Sequence, residues 1–156
     1  MDNFLGNMLD LNQKLADKSF SDKEVNVLAK QDFKYLCSQT GYNALNNIDY
    51  IRVEQMNKKI IDVFVVGHDL SNKNIEIPGQ YVDVEKEDLY VGVVYYENGK
   101  VKNICLFKAA DFAKRGIFSM FKYNKGNNTY NINLPNEEKL KQYSFGYVIK
   151  NISKGE

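Results

Sequence analysis

Two segments of this chain, IIDVFVV (residues 60–66) and LYVGVVYY (residues 89–96), are apolar at almost every consecutive position. A strand sends successive side chains to opposite faces, so such a run has no face suited to water and needs cover on both sides. The fold must therefore place these two segments centrally in a sheet and lay other elements over each face. LYVGVVYY continues through Asn98-Gly99 into KVKNICLF. Asn and Gly tolerate the positive φ that a two-residue turn requires, so the two segments are expected to form an antiparallel hairpin.

The rest of the pattern supplies the cover. Ser21 and Glu24 have the spacing of a capping box, with Phe20 placed to staple onto Val25. Val25, Leu28, Phe33 and Leu36 recur at helical spacing, and Gly41 is suited to a left-handed cap, which predicts a helix over residues 22–40. A second amphipathic helix is expected over residues 1–17, packed on the domain or on a partner chain. IDYIRVE and KIIDVFVVG read as a hairpin turning at residues 56–58. IEIPGQYVDV, interrupted by Pro78 and Gly79, reads as a broken or edge strand. Further expectations are a short helix at 109–114, a hairpin from IFSMFKY to TYNINL, a helical turn in EEKLKQY and a final strand in FGYVIKNI. The sum is a single α+β domain of 156 residues. Its sheet is mostly antiparallel or mixed, with about five to seven strands and an N-terminal helical segment packed on it.

Composition narrows the function classes. Apolar residues make up 44% and charged residues 26%, as in an ordinary soluble protein. The abundance of Asn and Lys reads as the coding bias of an AT-rich bacterial genome. A net charge of +1 argues against a broadly electropositive nucleic-acid binder. Cys37 and Cys105 lack CxxC spacing and are expected to be buried, reduced thiols. Acids stand in MDNFLGNMLD where a secretory signal needs bases, and no apolar run approaches a membrane span. A cytosolic protein that does not engage membranes is the expectation. No P-loop or GxGxxG is present, so nucleotide binding has no support.

Asp49 and Asp62 carry the most pointed chemistry. Asp62 lies inside an apolar strand, where a carboxylate is costly unless paired. If Asp49, Ile51 and Val53 point to the same side as Asp62 and Phe64, two carboxylates share one face. Oxygen ligands so placed suit Mg²⁺, which would activate water for phosphodiester hydrolysis. A helix followed by a hairpin bearing two acids resembles the restriction-endonuclease-like superfamily and its PD…(D/E)xK motif, over about residues 20–110. The resemblance implies a Mg²⁺-dependent nuclease with Asp49 and Asp62 as metal ligands and Glu24 as the additional helix carboxylate. Two positions depart from the motif: Phe64 occupies the lysine position, and Ile48 precedes Asp49 where the family has proline. Lys58 and Lys59 are near in sequence but fall in the turn. The structural reading of the same acids has Asp49 capping its strand and Asp62 pairing with Arg52 or a lysine across the hairpin. On balance the chain reads as a non-catalytic binding domain with a degenerate nuclease-like core.

Three further features bear on function. Lys114, Arg115, Lys122 and Lys125, interleaved with Phe112, Phe118, Phe121 and Tyr123, are candidate nucleic-acid contacts, since bases stack on aromatics and phosphates meet cations. The plainer reading is a half-buried strand with its lysines outward. His68, the one histidine, is expected in a turn at a strand end, and residues 83–88 (DVEKED) in a solvated loop. The expected partner is a protein, or a second copy, held by a sheet edge or by the N-terminal helix.

Overall fold

The computed structural model describes residues 22–54, 59–69, 74–113, 120–133 and 137–153. The expected helix over residues 1–17, the cap at Ser21, the turn at 56–58, and Lys114 and Arg115 lie outside the described residues.

Helix α1 spans Asp22–Gln39. Val25, Leu28, Ala29, Phe33 and Cys37 form its buried stripe, each 3% exposed or less. It ends as its glycine predicts. Gly41 adopts φ +87°, its N–H donates to Ser38 O at 3.2 Å, and the Tyr42 N–H donates to Cys37 O at 2.9 Å. That is the double bond of a Schellman cap.

Eight strands follow among the described residues: β1 (Asn43–Asn47), β2 (Tyr50–Glu54), β3 (Ile60–Asp69), β4 (Asn74–Pro78), β5 (Leu89–Glu97), β6 (Lys100–Lys108), β7 (Phe121–Asn124) and β8 (Thr129–Asn133). They form a five-stranded sheet ordered β1-β2-β3-β5-β6 and a three-stranded sheet ordered β4-β8-β7. Single 3₁₀ turns occupy Gly79–Tyr81 and Ala109–Ala113. The two segments that needed cover, β3 and β5, are both inner members of the larger sheet and run parallel to each other. The larger sheet is therefore mixed, and the fold is α+β.

Each face of that sheet has its own core. On one side α1 and the C-terminal helix pack on Ile51, Val53, Val63 and Val65, with Phe33 and Phe145 edge to face at 5.7 Å. On the other side the small sheet brings Ile77, Phe121 and Ile132 against Phe64, Val66, Val91 and Phe107. Pro78 closes β4 at the edge of the small sheet, where a missing N–H is tolerated. The Asn98-Gly99 turn has φ values of 54° and 79° and joins adjacent antiparallel strands.

Two expectations change. FGYVIKNI is not a strand but a helix, α3 (Phe145–Ser153), which follows a short α2 (Glu137–Leu140) and a 3₁₀ turn (Lys141–Tyr143). Its aromatic and β-branched content favours strand, but Phe145, Ile149 and Ile152 repeat at helical spacing and bury one face. The other change is β1, an asparagine-rich segment without alternating apolar residues, which pairs with β2 from Asn43↔Glu54 to Asn47↔Tyr50.

The β1–β2 turn carries backbone strain. Ile48 adopts φ 57° and is 94% exposed. A β-branched residue there is costly, whereas Asn tolerates the left-handed region. Ile48→Asn is expected to stabilise the fold by about 1 kcal/mol, read as a higher urea midpoint at unchanged slope in dilute protein. A lower midpoint would show that the Ile48 side chain makes compensating contacts.

Candidate functional site

Asp62 is 8% exposed and sits on β3 opposite Arg52 of β2. Arg52 Nε donates to Asp62 Oδ1 at 3.2 Å, Asn47 Nδ2 donates to the same oxygen at 3.3 Å, and Lys86 Nζ approaches Oδ2 at 3.5 Å. Burial pushes this carboxyl up, but the hydrogen bonds from Arg52 and Asn47 and the charges of Arg52 and Lys86 outweigh it and hold it below the ordinary aspartate value. The cross-hairpin pairing with Arg52 expected on structural grounds is present, and Lys86 adds a second cation from the loop before β5.

The other acids of the metal reading are carried by the β1–β2 turn and by α1. Ile51 and Val53 face α1, whereas Phe64 and Val66 face the small sheet, so the strand face that would have aligned Asp49 with Asp62 is not shared. Asp49 is exposed in the β1–β2 turn. Glu24 is in the first turn of α1. Its neighbour Val25 packs at Gly67, five residues beyond Asp62 and so roughly 16 Å along β3. Among the described residues no group of three His, Cys, Asp or Glu side chains is arranged to hold a metal ion. Phe64, at the lysine position of the resembled motif, stacks on Tyr81 with ring centroids 4.4 Å apart.

Of the candidate nucleic-acid contacts, Lys122 and Lys125 are exposed on β7 and in the β7–β8 loop. Phe112 and Phe121 stack on each other at 4.3 Å in the core, unavailable to bases. The two cysteines are fully buried and unbridged, and burial pushes each thiol up to about 12. His68 is not in a turn: it is the ninth residue of β3, 7% exposed, and its ring meets Tyr95 edge to face at 6.1 Å.

His68 also borders a cavity that the sequence did not disclose. β2 pairs with β3 only from Ile60 to Val63, while β3 runs on to Asp69. Past the end of β2 a cleft of about 400 Å³ opens. Asn26 and Lys30 of α1 form one wall, Glu76 and Pro78 of β4 another, and Asp49 of the β1–β2 turn also lines it. Phe64 and Tyr81 form its aromatic side, and the Tyr50 hydroxyl donates to Tyr81 O at 3.1 Å. Asn26 Oδ1 accepts the Gly67 N–H at 2.9 Å, pinning the helix wall to the strand edge. The volume is that of a small-molecule site, and the lining offers an ammonium, two carboxylates and an amide. These groups come from three separated stretches of chain, with no sequence spacing to link them.

A further acid, Asp32, accepts the Tyr96 O–H at 2.6 Å. Burial raises its pKa, and the hydrogen bond only partly offsets that. The contact ties the middle of α1 to the end of β5 and borders no cavity described above.

No helix among the described residues is long and apolar enough to cross a membrane. No protein-family model matches this chain, and no curated protein matches it in sequence.

Proposed function

We propose that this chain is a non-catalytic binding domain whose ligand, a small polar molecule carrying both a cationic and an anionic group, is held in the cleft beside β3. The observation that carries the proposal is the cleft itself: about 400 Å³, with Lys30 facing the ligand from one side and Asp49 and Glu76 from others. A charge held by a fixed partner in a partly desolvated site contributes more than it would in open water. A cytosolic setting belongs to this reading and is supported by two cysteines that form no disulfide.

The alternative is a Mg²⁺-dependent nuclease acting on DNA or RNA through Asp49 and Asp62. Its support is that both carboxylates lie close enough to Tyr50 to raise the pKa of that phenol, after the larger effect of burial. Against it stand the donors already engaging both Asp62 oxygens and the absence of a lysine at Phe64. Hydrolysis also needs an oriented water and stabilisation of the charge building on phosphate.

The test titrates ¹⁵N-labelled protein with free amino acids and dipeptides as zwitterionic probes. Shift changes are expected at Lys30, Gly67 and Tyr81, with Lys30→Met and Asp49→Asn each weakening binding about tenfold. Shifts confined to other surfaces, or none across the panel, overturn the cleft. A parallel incubation with single- and double-stranded DNA and RNA plus Mg²⁺ or Mn²⁺ is expected to show no cleavage. Cleavage abolished by Asp49→Ala and by Asp62→Ala would establish the nuclease instead.

A further inference from the structure

Among the described residues each sheet presents two edges, and three of the four carry a device that discourages strand addition. The outer edge of β6 carries Lys100, Lys102 and Lys108, and Cys105 bridges to Ser144. β4 has Glu76 and Pro78, and β7 has Lys122. Lysine, proline and covering chain are the usual protections of an edge. β1 reads NALNN and has neither a charged residue nor a proline, and its Leu45 is 51% exposed.

The hydrogen-bond directions of this edge follow from the ladder. The Asp62 N–H donates to Asp88 O toward β5, so Val63 and Ile61 direct their main-chain groups to β2. Alternation then turns Tyr50, Arg52 and Glu54 toward β1, where they meet Asn47, Leu45 and Asn43. The main-chain groups of Ala44 and Asn46 are left pointing outward.

From this edge we infer that the chain forms a twofold dimer in which β1 pairs antiparallel with β1 of a second copy, centred on Leu45. Only a register that sets outward groups against outward groups closes hydrogen bonds, and centring on Leu45 pairs all five residues. Ala44 then opposes the partner copy's Asn46, twice by symmetry, for four main-chain bonds. Leu45 meets its own copy at a non-hydrogen-bonded position, where side chains approach most closely. The same register brings Ile48, the most exposed apolar residue described, level with Tyr42 of the other copy. An identical patch that complements itself closes as an isologous pair and does not propagate. The two five-stranded sheets join into one of ten strands. The inference is independent of the cleft, whose walls contain none of these residues.

Sedimentation equilibrium on the full chain tests it. The wild type is expected to reach twice the chain mass at high micromolar concentration. Leu45→Lys places like charges directly opposite each other and is expected to raise the dissociation constant tenfold or more, on the order of a single opposed pair. Asn46→Pro removes an outward N–H that bonds to no other described residue, together with the 3.2 Å bond from Lys34 Nζ to Asn46 Oδ1, and should do the same. Unchanged circular dichroism in dilute solution shows that Leu45→Lys still folds. A wild type that stays monomeric, a dimer that both variants leave intact, or mass that climbs past the dimer would each overturn the inference.

Discussion

Replacing Gly67 by alanine is expected to lower the unfolding free energy by about 3 kcal/mol, from overpacking and a lost hydrogen bond. Gly67 lies where α1 crosses β3 most closely. A Cβ there would stand 2.4 Å from Val25 Cγ1, 2.7 Å from Val25 O and 3.1 Å from Ala29 Cβ. The first atom belongs to a side chain that can rotate. The second is helix backbone, so relief requires α1 itself to move. Val25 and Ala29 are 3% and 0% exposed, and neither can retreat toward solvent without opening the core. A shifted helix also stretches the 2.9 Å bond from the Gly67 N–H to Asn26 Oδ1. Because Asn26 and Lys30 form the helix wall of the cleft, the same substitution should loosen the site. Urea unfolding of Gly67→Ala measures the cost, with Gly146→Ala as control, since a methyl group at Gly146 meets nothing within 4 Å. A loss below about 1 kcal/mol would mean that the helix adjusts freely, and the cleft would then not be a preformed site.

Gly67 also illustrates how far local sequence reasoning reaches. The glycines at Gly41 and Gly99 were readable because each answers a local backbone demand, a helix cap and a tight turn, both with positive φ. Gly67 answers a demand from α1, more than 35 positions earlier, and nothing in GHDL announces it. The central strands were readable because consecutive Val, Ile and Tyr admit no wetted face. The parallel pairing of β3 with β5 was not, because it depends on the route of the intervening chain through the small sheet. The same limit applies to the site. An acid inside IIDVFVV demands a partner, and Arg52, ten positions away, was one of those anticipated. Among the described residues the cleft is an absence of pairing on the β2 side of β3 beyond Val63, produced by the shortness of β2, and a missing neighbour leaves no pattern in the residues that border it.

Asp62→Asn is expected to cost about 2 kcal/mol at neutral pH and to change the response of stability to acid, because it removes charge-assisted bonds from a buried acceptor. The native carboxyl titrates below its unfolded value of 3.8. Above that value both states are ionised, and the stabilisation from Arg52, Asn47 and Lys86 is fully present. As pH falls through the depressed native value, the folded protein must take up a proton that the unfolded chain already holds, and the stabilisation disappears. Asp32 acts in the opposite sense. Its native value is raised above 3.8, so its contribution declines as pH rises through the window above that value. Urea midpoints followed across acid pH should therefore show the wild type losing stability below about 3.8 more steeply than Asp62→Asn. Asp32→Asn should remove the opposing slope and leave the Asp62 effect isolated. Superimposable acid profiles for wild type and Asp62→Asn would show that the ion pairs contribute nothing. Melting at neutral pH with added Mg²⁺ decides the remaining role for this carboxylate. A resident ligand set gains stability from its metal by mass action, whereas an acid already engaged by Arg52 and Lys86 does not. No Mg²⁺-dependent rise is expected. A rise in the wild type that vanishes in both Asp49→Asn and Asp62→Asn would show that the cation displaces the two basic side chains and that the pair is a metal site.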